Sequence, residues 1–393
     1  MSEWKEFKLG SVINTNECSV SQEYPHREIL YLDTGSITKG KIDQLQPFSL
    51  SDAPSRAKRL VKHSDIVYST VRPIQRHYGY IENPTENLVV STGFVVISCL
   101  KKILDPKFTY YYLSSDQVVE ELDIIAEAST STYPSLKPSD IEKLTVRAPI
   151  QIEEQKAIAA VLSSLDDKID LLHRQNKTLE SIAETLFRQW FLEEAQGDWE
   201  NCVLADLCKS IACGGTPSTK IEAYYTGDIN WYSTKELNDS FLFESSSKIT
   251  TEGLENSAAK LFPAGTVVMA IYAAPTVGRL GILGASGAFN QAACGMVAND
   301  YFCCGEFLYL YLMSKRDELN AMASGSAQQN LNLGKIKSYP AFKVSEIVMD
   351  KFKEVIKPIF AKIKTNSLQI RTIQKLRDNL LPKLMSGEVR VEV

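Results

Sequence analysis

Residues 150–192 read "IQIEEQKAIAAVLSSLDDKIDLLHRQNKTLESIAETLFRQWFL". Ile158, Leu162, Leu165, Ile169, Leu172, Leu179 and Leu186 fall at spacings of three, four or seven. A three–four alternation held this long predicts a helix whose apolar stripe faces another helix, and no glycine interrupts it. Residues 346–385 carry Phe352, Ile356, Ile359, Ile363, Ile370, Ile373 and Leu380 in the same rhythm, with Pro358 expected to kink the helix near its start. Charge favours pairing the two stretches with each other. Residues 151–200 hold 5 Lys/Arg against 11 Asp/Glu, whereas 351–393 hold 10 against 4. Asn176 and Asn366 also occupy seam positions, where a buried asparagine fixes register and orientation. An antiparallel pairing that sets Asn176 against Asn366 sets Leu172 against Ile370 and keeps the apolar seam continuous.

Working outward from these helices, the rest of the chain is a duplication. "WKEFKLGSV" (Trp4–Val12) returns 195 residues later as "WENCVLADL" (Trp199–Leu207). "EILYLDTGSI" (Glu28–Ile37) echoes "DINWYSTKEL" (Asp228–Leu237), and "DIVYSTVRP" (Asp65–Pro73) echoes "TVVMAIYAAP" (Thr266–Pro275). "FTYYYL" (Phe108–Leu113) echoes "FLYLYL" (Phe307–Leu312), and the loop "ASTSTYPSLKPSDIEKL" at 128–144 stands in step with "ASGSAQQNLNLGKIKSY" at 323–339. One order and offsets of 195 to 201 exclude chance matching, and two long copies are not a short-period solenoid. Inside each copy, runs rich in Val, Ile and Tyr alternate with Gly, Pro, Asn and Ser turns, as strands do. The expected fold is therefore α+β: two duplicated mixed α/β domains joined by two long helices that form an antiparallel coiled coil. The predicted boundaries are 1–149 for the first domain, 150–195 for the central helix, 196–343 for the second domain, 344–385 for the C-terminal helix and 386–393 for a tail.

Composition narrows the chemistry. At 393 residues and 44% hydrophobic content the chain can bury two real cores. The start "MSEWKEFK" carries no targeting pattern. The longest apolar run, "LVVSTGFVVISCL" at 88–100, is too short to span a membrane and reads as two buried strands broken at Ser91-Thr92-Gly93. Eight cysteines without a C-x-x-C, and four histidines at no zinc-ligand spacing, read as reduced thiols and packing residues of a cytoplasmic protein. Gly334-Lys335 is not a phosphate-binding loop, because the spacing and the following Ile336 are wrong. A DNA methyltransferase needs a glycine-rich cofactor loop and an Asn/Asp-Pro-Pro-aromatic motif, to which "NPTE" at 83–86 comes nearest. A nuclease needs clustered carboxylates and a lysine; "PSDIEKL" at 138–144 sets Glu142 beside Lys143, which project differently. The chain reads as one that binds and does not react, without a metal or cofactor of its own.

Candidate contacts with nucleic acid lie in turns. Lys58 and Arg59 belong to a basic run, followed after a strand by Arg72, Gln75 and Arg76; arginine and glutamine make bidentate contacts to base edges in the major groove. In the second copy "GGTPSTK" offers Thr216, Ser218 and Lys220 to phosphates. Its later loop offers Gln328, Gln329, Asn330 and Asn332, and Thr132 and Tyr133 stand at the corresponding place in the first copy. Two other classes stay open on residues alone: a methyltransferase or nuclease with degenerate motifs, and a coiled-coil adaptor that never touches DNA.

The ordered set "GGTPST…YYTGDINWYST", "PAGTVVMAIYA", Asn290-Gln291, "YLYLM", "GSAQQNLN" and a long helix resembles the specificity subunit of type I restriction-modification systems. The opening of a spacer helix, Pro149, Glu153 or Glu154, Gln155 and Ile158, is clear in the first copy and decayed in the second, and the first copy lacks the glycine-threonine-proline loop. The resemblance implies two target recognition domains, each reading one half of a bipartite sequence in double-stranded DNA. It implies helical spacers that set the half-site separation and recruit two methyltransferase subunits, which restriction subunits then join. S-adenosylmethionine, Mg and ATP would belong to those partners.

Overall fold

The computed structural model describes residues 3–128, 135–193, 199–272, 276–324 and 331–392. The chain divides into two compact units, Met1–Ile169 with Ile373–Val393, and Asp170–Thr372. Both long helices thus contribute to both units.

In the first unit, the strand Trp4–Lys8 pairs antiparallel with Thr145–Pro149, which ties the start of the domain to the start of the central helix. Between them lie two four-stranded sheets. One runs Gln46–Ser49, Glu28–Leu32, Leu88–Ser91, Ala57–Leu60; the other runs Ile13–Thr15, Phe94–Cys99, Ile66–Ser69, Tyr78–Tyr80. The apolar run at 88–100 is two strands, as its Ser-Thr-Gly break implies. Helices Pro106–Ser114 and Asp116–Glu127 cover the second sheet, burying Phe108, Tyr111, Val119 and Leu122 against Ile66, Tyr68 and Val95.

The second unit repeats the frame. Glu200–Val203 pairs with Pro340–Lys343. A five-stranded sheet runs Cys208–Cys213, Ala293–Ala298, Val267–Ala270, Leu280–Leu283, Ser240–Leu242, beside a three-stranded one built on Ile229–Tyr232. Main-chain hydrogen bonds are made twice at the offset of the repeat. Leu9 N–H donates to Leu144 O and Leu204 N–H to Tyr339 O, each at 2.9 Å. Leu136 N–H donates to Thr70 O at 2.7 Å and Leu331 N–H to Ile271 O at 3.0 Å. Duplication preserves these backbone frames because they depend on register, while the loops between them diverge.

The central helix is Ile152–Arg188 and the C-terminal helix Glu346–Ser386. Within the second unit Asn366 Nδ2 donates to Asn176 Oδ1 at 2.9 Å, and Asn176 Nδ2 donates to Ser367 Oγ at 3.1 Å. Further along the central helix Phe187 meets Phe352, further back on the C-terminal one, so the two segments run antiparallel. Within the first unit Arg377 Nη1 meets Asp166 Oδ1 at 2.7 Å, a basic residue of one helix on an acidic residue of the other. Leu162, Ile169, Leu172, Ile363 and Ile370 are buried; Leu165, Leu179, Ile359 and Ile373 are half-buried.

Three details go beyond the sequence reading. The C-terminal helix continues through Pro358 and also Pro382, both at exposed positions where water can satisfy the carbonyl that loses its donor. Past Leu179 the fully buried positions are Ala183 and Phe187, with Leu186 only half-buried. Steps of four residues drift around an α-helix, and a π-helical turn at Gln189–Glu193 absorbs the drift and leaves Phe191 buried in the same cluster. Beyond the C-terminal helix, Val389 and Val391 pack on the first core, and Arg390 Nη1 reaches the buried Glu154 at 3.0 Å.

Asn366 is fully buried, so truncation tests the polar seam. Asn366→Ala is expected to cost about 1–3 kcal/mol, because Asn176 loses a buried partner. Replacing both asparagines by leucine is expected to recover most of that loss while loosening the register. Denaturant unfolding of the two variants checks this; a double variant as unstable as the single would show that the pair stabilises in its own right.

Candidate nucleic-acid interface

In the first unit the strand Ile66–Ser69 ends in a loop tied down at Val71, which bridges to Ser135. The loop then makes a 3-10 turn at Pro73–Gln75, flanked by Arg72 at φ 45° and Arg76 at φ 58°. Both are left-handed conformations that non-glycine residues rarely adopt, costing roughly 1–3 kcal/mol each. Two carboxylates of the helix Asp116–Glu127 hold the turn from behind. Ile74 N–H donates to Asp123 Oδ1 at 3.1 Å, and the Arg76 guanidinium meets Asp116 at 2.8 Å. Arg76 is thus engaged within the fold, while Arg72 and Gln75 stand exposed. Lys58 is exposed on the strand Ala57–Leu60; its neighbour Arg59 is half-buried, its Nε has no hydrogen-bond partner, and burial lowers its pKa. Thr132 and Tyr133 lie outside the described residues.

In the second unit the loop after strand Cys208–Cys213 is a constructed feature. Gly214 N–H donates to Ala293 O at 3.1 Å and Gly215 N–H to Phe289 O at 3.0 Å. Neither position has room for a side chain: a Cβ on Gly214 would lie 1.9 Å from Phe289 O, and one on Gly215 would lie 2.2 Å from the Ala258 carbonyl carbon. Beyond the glycines, Trp231 Nε1 donates to Gly215 O at 2.9 Å and the Tyr225 hydroxyl to Pro217 O at 2.8 Å. Thr216 Oγ donates to the Gln291 side-chain carbonyl. This last bond joins two pieces of sequence far apart in the chain, the glycine-threonine-proline loop and the asparagine-glutamine pair. With its backbone pinned, the loop leaves Ser218 and Lys220 exposed.

The later loop is only partly described. Gln328, Gln329 and Asn330 lie outside the described residues, while Asn332 caps the short helix Leu333–Lys337 by accepting from Lys335 N–H at 2.8 Å. Gly334 and Lys335 belong to that helix, and Lys335 Nζ donates to Met322 O at 3.3 Å. Trp231, Tyr225 and Gln291 are the residues that reading by chemistry alone missed as site-builders; the signal for them was their place in the ordered motif set.

Gln155 explains the spacer motif. Fully buried, it accepts from Asp105 N–H at 2.8 Å and donates to Ile103 O at 3.0 Å and Pro149 O at 2.8 Å. Among the described residues, no group of three or more His, Cys, Asp or Glu is placed to hold a metal ion, and no helix is long and apolar enough to cross a membrane.

A doubled backbone frame carrying pinned loops, each followed by a long helix, defines a protein built to present two different loop sets. The domain family described as "Type I restriction modification DNA specificity domain" matches this chain twice, over residues 1–181 and 196–341. The type I restriction enzyme HindI specificity subunit of Haemophilus influenzae is 27% identical, covering 99% of this chain and 100% of its own length. The MjaIX specificity subunit of Methanocaldococcus jannaschii is 26% identical over 85% of this chain and 79% of its own length. In fold the chain is similar to the crystal structure of a type I restriction-modification system S subunit from M. genitalium, at a TM-score of 0.63 and 16% identity, covering 100% and 97% of the two chains. The chain belongs to the type I restriction-modification specificity subunits, and its two matches are two target recognition domains.

Proposed function

We propose that this chain is the non-catalytic reader of a type I restriction-modification complex, each recognition domain reading one half of a bipartite site in double-stranded DNA. Its long helices set the half-site separation and dock two methyltransferase subunits, through which restriction subunits join. S-adenosylmethionine, Mg and ATP are carried by those partners, and the complex works in the cytoplasm. The observation that supports this best is the contrast inside the duplication. The same backbone bonds recur in both domains, while the exposed loop chemistry differs: Arg72 and Gln75 in one, Ser218 and Lys220 in the other. A protein that reads two different half-sites needs a constant frame and divergent loops.

Electrophoretic shift of a duplex by the purified chain with its methyltransferase partner tests the reading. Affinity should fall steeply with salt, because released counterions dominate the free energy. Salt-independent binding, or none, overturns it in favour of an adaptor that does not touch DNA. Replacing Gln328, Gln329 and Asn330 together with alanine should relax selectivity by about 1–3 kcal/mol per lost bidentate contact, at one half-site only. Methylation mapping on sites scrambled in either half checks this; full selectivity in the triple variant removes these groups from base reading. Replacing Arg72 should act on the other half.

A further inference from the structure

Cys213 and Cys294 oppose each other across the antiparallel strands Cys208–Cys213 and Ala293–Ala298. The adjacent pair carries the main-chain bond, Gly214 N–H to Ala293 O at 3.1 Å, so by alternation the cysteines occupy a non-hydrogen-bonded position. There Cα atoms stand about 4.5 Å apart and side chains approach closest. That spacing lies within the roughly 4.4–6.8 Å over which a disulfide closes. Both thiols are free and interact with each other across the strands. Their environments differ: Cys213 is half-exposed, and Cys294 is fully buried. The Cys294 hydrogen bond, helped by the charges of Lys260 and Lys337, brings the Cys213 thiol down to about 7, whereas burial pushes Cys99, Cys208 and Cys304 up to about 12. Cys294 is held protonated by the same bond and by burial. An accessible thiolate beside a protected thiol is an attacking and resolving arrangement.

We propose that Cys213 and Cys294 form a reversible modification site that takes hydroperoxides as its oxidant. The Cys213 thiolate attacks one oxygen of hydrogen peroxide; the O–O bond breaks, and hydroxide leaves and is protonated to water. Cys213 is then a sulfenic acid. Cys294 gives up its proton and attacks the Cys213 sulfur, the S–O bond breaks, and a second water leaves with that proton. Two thiols become one disulfide, and one peroxide is reduced to two waters. The consequence for DNA rests on the proposed reading function. Closing the bond brings the two sulfurs to about 2 Å, and because Gly214 and Gly215, which follow Cys213 directly, have no free space, the adjustment is passed to the loop that holds Thr216 on Gln291.

The test exposes the full chain to hydrogen peroxide, blocks remaining thiols and maps peptides by mass. A peptide pair joined through Cys213 and Cys294, released by dithiothreitol and absent from Cys213→Ser, is expected. Both thiols still blocked after a dose that oxidises the exposed Cys18, or Cys294 joined to another cysteine, overturns the site. In the chain assembled with its methyltransferase partner, oxidation should weaken binding to a cognate duplex about tenfold, reversibly, and leave Cys213→Ser unresponsive. Unchanged affinity with the disulfide demonstrated overturns the coupling to DNA. Failure of the reduced complex to bind any duplex strikes instead at the reading function, and the peptide map is independent of it.

Discussion

Replacing Gly214 with alanine is expected to weaken recognition of one half-site by about 5- to 150-fold while the other half-site is read normally. The added Cβ would sit 1.9 Å from Phe289 O and 2.6 Å from Asn290 O. Both are backbone atoms, so no rotamer change relieves the contact, and the loop or the strand must move. Overpacking of this kind costs roughly 1–3 kcal/mol. If the strained loop settles elsewhere, that energy must be returned each time DNA draws it back, so the cost appears in affinity. The displaced group is the bond from Thr216 to Gln291, which sets how Ser218 and Lys220 face solvent. Gly35→Ala serves as control, since its Cβ would meet only Asp33 Oδ1 at 3.4 Å, an ordinary contact. Binding of the assembled complex to duplexes scrambled in one half or the other measures the effect. Equal losses on both halves would show that Gly214 acts through general stability and not through a reading loop.

The two parts of the architecture were legible to different degrees, for a physical reason. An apolar helix stripe repeats one simple requirement many times, so the burial of Leu162, Ile169, Leu172, Ile363 and Ile370 was legible in their spacing. The same spacing sets Asn176 opposite Asn366, which bond to each other in the structure. Where the stripe leaves the regular period, spacing misled: Leu186 continued the arithmetic, but Ala183 and Phe187 are the buried residues, a step of four whose drift the π turn after Arg188 absorbs. The recognition loops follow no period. That Arg76 is anchored to Asp116 while Arg72 is exposed depends on the left-handed backbone at both residues, which arginine does not signal. Asn332 likewise offers base-edge chemistry in sequence, yet its side-chain oxygen is engaged as a helix cap.

The largest stability loss is expected from Phe352→Ala, and it should fall on one unit alone. Phe352 is 1% exposed and lies at the centre of an aromatic cluster, its ring 4.8 Å from Phe191, 5.8 Å from Trp190, 6.2 Å from Phe307 and 6.3 Å from Phe187. These rings come from the central helix, the C-terminal helix and the recognition fold, so one side chain joins three elements within the second unit. Truncating a buried phenylalanine costs about 3–5 kcal/mol, since the surrounding rings cannot collapse fully into the space. Against a typical stability of ~5–15 kcal/mol that is a large share. The core of the first unit contains none of these residues and is assembled around Phe108, Tyr111, Leu122 and Leu162. Calorimetry should therefore resolve two transitions in the variant, one unshifted and one lowered by about 6–20 °C, given ~2–4 °C per kcal/mol for units of this size. A single transition moved as a whole would mean that the units unfold together and that the long helices transmit the loss. Two transitions would have a functional counterpart: between the two melting temperatures the variant should still read the half-site of the first domain and fail at the other.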